Sequence, residues 1–288
     1  MRWAHTQFLD NEPMSSCIRE LIQGSTFAQS EAKTLAAHAL GVPRSWLVAH
    51  DTDTLSAPQI AAIMQYFQRR MAGEPVAYIQ GFREFYGLNF VVNPSVLIPR
   101  PETELLLDWL IKNSPQGASV LDLGTGSGAI AVTLGHHRPD LSVTACDISP
   151  AALAVAAQNN VALAAGRVKL IASDWFEFIS GTFDVIVSNP PYIAAGDVHL
   201  SQGDLRFEPA GALTDRADGL SHYRTIITES LTRLKPAGWL VLEHGYDQSA
   251  ALQMRLREAG YANIKQYYDA AIASEQGMSR MLVAQAVF

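Results

Sequence analysis

The chain has 288 residues, 48% of them hydrophobic and 17% charged, with a formal net charge of -7. That length allows one large domain or two ordinary ones, and that composition supports a sizeable core and argues against disorder. The acidic balance, with no Lys/Arg cluster beyond pairs such as Arg69-Arg70, weighs against a protein that grips nucleic acid by its phosphates. Two cysteines far apart, Cys17 and Cys146, make neither a disulfide framework nor a metal motif, and the eight histidines show no ligand spacing, so no metal is expected. The N-terminus has no basic-then-apolar leader and no apolar run is long enough for a bilayer, so no membrane partner and a reducing, cytoplasmic location are expected.

Residues 1–75 read as helices without strands and near-neutral charge. Helices are predicted over Met14 to Gln23, over Ala28 to Leu40 with a stop at Gly41, and for a turn or two within Pro43 to His50. A fourth begins at Ser56 as N-cap and carries Ile60, Ile63, Met64, Phe67 and Met71 at helical spacing, ending at Gly73. That stripe predicts a small bundle core. Residues 76–96 are expected to bridge to the rest of the chain through a hairpin of Phe82–Tyr86 and Leu88–Val92, broken at Gly87.

From residue 97 the pattern changes. Leu97-Ile98-Pro99-Arg100-Pro101-Glu102-Thr103-Glu104 makes a stiff approach to a helix over Leu105 to Lys112, with Arg100 a candidate wall of a site. Strands and helices then alternate. Strands are predicted at Val120–Leu123, Ser142–Ala145, Val168–Ala172, Phe183–Val187, Gly238–Leu242, Asn263–Tyr268 and Arg280–Ala286. Helices are predicted from Ala129, from Pro150, over Ser221–Leu234 and over Gln248–Glu258. This alternation predicts an α/β fold with a parallel, doubly wound sheet over residues 97–288.

Candidate chemistry comes after the first four of these strands in succession. The turn Gly124-Thr125-Gly126-Ser127-Gly128 joins a strand to a helix, where glycine lets a ligand approach the backbone. Asp147 closes the second strand, the position that faces the ribose hydroxyls of a nucleotide. Together they indicate a nucleoside cofactor without saying which; Gly124-x-Gly126-x-x-Ala129 also fits the dinucleotide fingerprint. After the third strand, Asp174 is suited to accept from an adenine amine and Trp175 to stack on its ring. After the fourth comes Ser188-Asn189-Pro190-Pro191-Tyr192. The two prolines end the strand and fix the backbone beyond it. The Asn189 amide oxygen and the Pro190 carbonyl give two converging acceptors for a planar NH2 group, on which Tyr192 can stack.

This order of motifs resembles the class I S-adenosylmethionine-dependent methyltransferases, and Asn189-Pro190-Pro191-Tyr192 resembles the signature of those that methylate a planar nitrogen. Ile98 to Glu104, Phe207-Glu208-Pro209, Asp218-Gly219-Leu220 and the helical N-terminal part narrow the likeness to the peptide chain release factor N5-glutamine methyltransferases, over nearly the whole chain. One departure is Gly277-Met278-Ser279-Arg280-Met281, where that family has Gly-x-x-Arg-Val.

The resemblance implies a Rossmann-like, seven-stranded, mostly parallel sheet at residues 97–288 and a substrate-recognition role for the helices of residues 1–75. It implies S-adenosylmethionine as cofactor, with S-adenosylhomocysteine as product, and the glutamine of a Gly-Gly-Gln loop in release factors as substrate. Gly124 to Gly128, Asp147, Asp174, Trp175 and Asn189 would hold the cofactor. Asn189, Pro190, Pro191, Tyr192 and Arg100 would hold the substrate, with Asn189, Pro190 and Tyr192 catalytic. Direct binding to nucleic acid is not expected. Rival readings are a DNA or RNA base amino-methyltransferase, for which no basic target-recognition region is seen, and an NAD(P)-dependent oxidoreductase or a non-catalytic binding protein, which leave the Asn-Pro-Pro-Tyr chemistry unexplained.

Overall fold

The computed structural model describes residues 17–269 and 278–287. They fall into two compact units, divided between Gln80 and Gly81. The first unit holds five helices: α1 (Ile18–Gln23), α2 (Gln29–Leu40), α3 (Arg44–Ala49), α4 (Ala57–Met71) and α5 (Val76–Gln80). The first residues of the helix predicted from Met14 lie outside the described residues. Gly41, in the left-handed conformation, stops α2, and Ser56 starts α4 through a capping box with Gln59. The predicted stripe is mostly a core stripe. Ile63 and Phe67 are buried with Ile18, Leu35 and Leu47, and Ile60 and Met64 pack against them. Met71 instead lies at the last position of α4 and is exposed.

The segment expected as a bridge divides. Residues 76–80 form α5, because Pro75 opens a helical turn and Ile79 fits the helical core. The hairpin β1 (Phe82–Phe85) and β2 (Leu88–Val91) belongs to the second unit, where Phe85 and Phe90 are fully buried. The Asn159 amide fixes it there, accepting from Val91 N–H at 2.8 Å and donating to the Val91 carbonyl at 3.0 Å.

The second unit continues with α6 (Glu104–Asn113), β3 (Ser119–Leu123), α7 (Ala129–His137), β4 (Ser142–Asp147), α8 (Pro150–Ala164), β5 (Lys169–Ala172) and β6 (Phe183–Ser188). A short α9 (Ala210–Leu213) and α10 (Ser221–Arg233) lead to β7 (Leu234–Glu243), α11 (Ser249–Glu258), β8 (Tyr261–Asp269) and β9 (Met278–Ala286). Seven strands form one sheet in the order β5-β4-β3-β6-β7-β9-β8. Pairing is parallel from β5 through β7 and antiparallel at β9 and β8. Alternation along the strands puts Val120, Val185 and Val241 on one face, under α6 and α7. Leu121, Ile186 and Leu240 lie on the other, under α10 and α11. Met281, where the resembled family has Val, is fully buried in β9 opposite Glu243, so the exchange is one of packing. Gly277 lies outside the described residues.

The register decides where the chemistry falls. Leu123 pairs with Cys146 on one side and with Ser188 on the other, and Ser188 pairs with Leu242. The next residue of each strand therefore stands in one row at the carboxyl edge: Asp147, Gly124, Asn189, Glu243. The chain leaves β3 toward β4 and β5 and returns on the other side as β6. This is the topological switch where open α/β sheets bind ligands.

Candidate active site

The Gly-rich turn is held open by its own sequence. Gly124, Gly126 and Gly128 have φ of +73°, +57° and +86°. Nothing stands within 4 Å of where a β-carbon on Gly126 would lie, so a ligand can meet bare backbone there. A β-carbon on Gly128 would stand 2.9 Å from Val132 Cγ2, so that glycine serves the packing of α7. Gly124 and Thr125 donate their N–H groups to the Cys146 carbonyl, both at 2.9 Å. The Thr125 hydroxyl donates to the Asp122 carboxylate at 2.7 Å, and Ser127 is buried with its carbonyl accepting from Asn159. Of the five turn residues, Gly124 and Gly126 line the adjacent cavity, whereas Thr125, Ser127 and Gly128 brace the turn from behind.

Asp147 lines the same cavity. One of its oxygens accepts from Gly126 N–H and the other from Ser149 N–H, each at 2.9 Å. Burial pushes its carboxyl above the usual range, and these backbone donors pull it back. Each oxygen keeps a lone pair for a further donor. The cavity has a volume of about 790 Å³ and also takes in Asp174, Trp175, Asn189 and Pro191. Asp174 is exposed at its rim. The Trp175 indole lies against Gly124 and faces the His222 ring, with ring centres 5.1 Å apart.

A second, smaller pocket of about 160 Å³ is lined by Arg100, Pro190, Tyr192 and Glu243 among others. Leu97, Asn189 and Ala212 line both spaces, so Asn189 is the one polar side chain common to the two. Asn189 is anchored at its nitrogen end: Nδ2 donates to Thr103 Oγ1 at 3.2 Å, and Thr103 donates to Glu243 Oε2 at 2.7 Å. Ser188, just before it, is buried and donates to the Leu123 carbonyl at 2.8 Å, tying the end of β6 to β3. Tyr192 is half-buried. Its carbonyl accepts from Gln248 Nε2 at 2.9 Å, and burial holds its phenol well above the ordinary value.

Arg100 was expected to wall the site, and it does line the small pocket, but its guanidinium is committed. It pairs with Glu208, whose side chain has no exposure and which also accepts from Ile98 N–H at 3.0 Å. The Phe207-Glu208-Pro209 triplet thereby acquires a role: it anchors the Leu97–Arg100 approach to α6. Glu243 and Thr103 were not among the expected site residues. Glu243 had the signal that singled out Asp147, a lone acid at the end of an apolar strand. Thr103 stood inside the stretch that carries the resemblance, but nothing local marked its hydroxyl, because its partners are remote in sequence.

The strand order β5-β4-β3-β6-β7-β9-β8 with β9 inserted antiparallel, together with a glycine-lined cavity at the switch point and an acid ending β4, is the architecture of a class I methyltransferase. Residues 101–215 match the Methyltransferase small domain family and residues 16–81 the PrmC N-terminal domain family. A methyltransferase structure from Pyrococcus furiosus superimposes with a TM-score of 0.54 at 19% identity, over 77% of this chain and 98% of that one. The chain is 48% identical over 260 residues to the release factor glutamine methyltransferase of Bordetella pertussis, covering 88% of this chain and 95% of the relative. It is 54% identical over 201 residues to that of Neisseria gonorrhoeae, covering 69% and 73%. The chain belongs to the release factor glutamine methyltransferase family, and is an enzyme of that family. Among the described residues no helix is long and apolar enough to cross a membrane.

Proposed function

We propose that this enzyme methylates the side-chain nitrogen of the glutamine in the Gly-Gly-Gln loop of release factors, with S-adenosylmethionine as donor. The observation that carries the reading is Asn189, the polar side chain shared by the nucleoside-sized cavity and the small pocket beside it. The cavity fits the cofactor: Gly126 leaves open space over the backbone, and Asp147 retains acceptor capacity at the end of β4. Gly124, Gly126 and Asp147 would hold the nucleoside part, with Asp174 and Trp175 at the base. S-adenosylmethionine, when bound, supplies an electrophilic methyl group.

The chain's own residues supply placement. An amide nitrogen is a weak nucleophile because its lone pair is delocalised. Asn189 Oδ1 and the Pro190 carbonyl would each accept one N–H of the glutamine amide and stabilise positive charge as it develops on that nitrogen. Tyr192 would cover the amide plane. Holding two reactants in line supplies a large part of the barrier reduction. The shed proton belongs to a strongly acidic N-protonated amide and leaves to solvent. Release factor is also what the relatives' names specify.

The test is incubation with methyl-labelled S-adenosylmethionine and, separately, purified release factor, a Gly-Gly-Gln peptide and duplex DNA. Label is expected in the first two. Label in DNA alone would transfer the reading to base methylation. Asn189→Ala should still bind the cofactor, because Asn189, although it borders that cavity, mainly orients the substrate amide, and should lose about two to three decades of turnover, the scale of one preorganised polar partner. Asp147→Ala should instead weaken cofactor binding by about one to two decades, the scale of a lost charge-assisted pair.

A further inference from the structure

An asparagine side chain presents either an acceptor or a donor, depending on which end is anchored. At Asn189 the choice is made by a buried chain of two further residues. Thr103 is 4% exposed and Glu243 1%. Asn189 Nδ2 donates to Thr103, and Thr103 donates to Glu243. An ionised carboxylate carries no proton, so the single hydroxyl hydrogen of Thr103 must go to Glu243. The Thr103 oxygen is then an acceptor only, and only the NH2 end of Asn189 satisfies it. Oδ1 is the end left for the pocket.

Resting on methyl transfer to a glutamine amide, we propose that Thr103 and Glu243 are positioning residues that set the polarity of the Asn189 amide, so that an acceptor and not a donor meets the substrate NH2. Protonating Glu243 reverses the chain. A carboxylic acid can donate to Thr103, which frees the Thr103 hydrogen for Asn189 Oδ1 and lets the amide turn its NH2 toward the pocket. Two donors then face each other and the amide substrate is not held.

The groups around Glu243 set where this happens. Glu102 and Arg100 face it from the turn before α6, and Tyr192 and Asn189 from the segment after β6. Arg280 faces it from β9, the Tyr223 hydroxyl donates to its carbonyl from α10, and buried His244 is next to it in the chain. Burial pushes the Glu243 carboxyl up to about 7 and Glu102 adds to this, while Thr103, Arg280 and Asn189 oppose. The carboxyl thus changes state within the working range of an enzyme. Activity is expected to fall by about tenfold per pH unit below about 7.

The experiment compares Thr103→Val, Thr103→Ser and Glu243→Gln with the parent in steady-state kinetics on the Gly-Gly-Gln peptide, calorimetry with S-adenosylmethionine, and side-chain NMR of the unliganded protein. Thr103→Val and Glu243→Gln should lower kcat by about 10- to 100-fold, the scale of a misplaced catalytic partner. Their cofactor affinity should stay within about twofold, because neither residue lines the larger cavity. Thr103→Ser keeps the hydroxyl and should restore most of kcat. The acid limb of the pH profile should vanish in Glu243→Gln. In the unliganded parent the Asn189 NH2 resonances should titrate with Glu243, and in Thr103→Val the titration shift should be much smaller, because only the direct influence of the Glu243 carboxylate on Asn189 remains. Parent-like kcat in Thr103→Val, or an acid limb that survives Glu243→Gln, overturns the relay. An Asn189 signal that titrates unchanged in Thr103→Val does the same, and it does so even if the peptide is never methylated. A parent protein that methylates neither intact release factor nor the peptide sinks the functional reading and leaves the NMR outcome to decide the relay alone.

Discussion

A β-carbon on Gly219 would stand 2.5 Å from the carbonyl oxygen of Tyr192. Gly219 also has φ of +77°, and Gln248 Nε2 reaches both backbones, at 2.9 Å to the Tyr192 carbonyl and 3.1 Å to that of Gly219. The loop before α10 is thus laid directly on the segment that carries Asn189 and Tyr192. Gly219→Ala should cost about 1–3 kcal/mol of backbone strain, a fall in Tm of about 2–10 °C for a domain of this size. The Tyr192 carbonyl is the atom that must move, so kcat should fall while cofactor affinity holds. Thermal melts and kinetics on one preparation check this; unchanged kcat would show that the loop only packs.

How much of the site is legible in the sequence depends on sequence distance. Strand ends were legible because a short apolar, β-branched run and a closing Gly, Asp or Pro are local signals. Gly124, Asp147 and Asn189 fall in one row because the register of β3, β4 and β6 obeys the expected crossover topology. The contacts that fix the site are long-range: Glu208 on Arg100, Glu243 on Thr103 and Gln248 on Tyr192. No periodicity reports such pairs. Residues 76–80 are expected as part of the bridge and not as a helix, yet the apolar core beside α4 and α2 selects a helix there. Of the 3-10 turns, those at Val198–Ser201 and Gly203–Phe207 carry no pattern either.

Arg100 is a test of structural against substrate-binding roles. Its side chain is 31% exposed, while its partner Glu208 is fully buried. Removing the cation leaves an uncompensated buried carboxylate, worth about 2–3 kcal/mol after discounting for that exposure. Arg100→Ala should therefore lower Tm, and in a Glu208→Gln background the same change should cost much less. A loss of activity with no loss of stability would instead make Arg100 a substrate ligand.

Glu243 sets stability against activity. Its folded pKa of about 7 lies above the ordinary 4.5. Between those values the native protein binds a proton the unfolded chain has released, so this group's contribution to stability falls as pH rises toward 7 and is flat beyond. Asp122, buried and also raised to about 7 from 3.8, acts in the same direction. Glu243→Gln should thus gain Tm relative to the parent on going from pH 5 to pH 8, although its activity is lower. Scanning calorimetry at the two pH values decides, and an equal Tm difference at both would remove Glu243 as the source.

The helices of the first unit are proposed to serve substrate choice and not cofactor binding. Every residue lining the two cavities lies between Ser95 and Glu243. The buried clusters of the second unit are built from residues beyond Gly81, and α1 to α5 have a cluster of their own. A chain beginning at Gly81 therefore keeps its core and its site, and should bind S-adenosylmethionine within about twofold of the full protein. A single glutamine offers little area, whereas specific protein interfaces bury about 800 Å² per partner. If the helices supply part of that area, the shortened chain should methylate a Gly-Gly-Gln peptide as the full enzyme does. On intact release factor its kcat/KM should be lower by about two decades, mostly in KM, which corresponds to about 2.7 kcal/mol of lost binding. Equal kcat/KM on intact release factor would refute the recognition role. A deficit of the same size on both substrates would place the contribution of the helices in the integrity of the site itself.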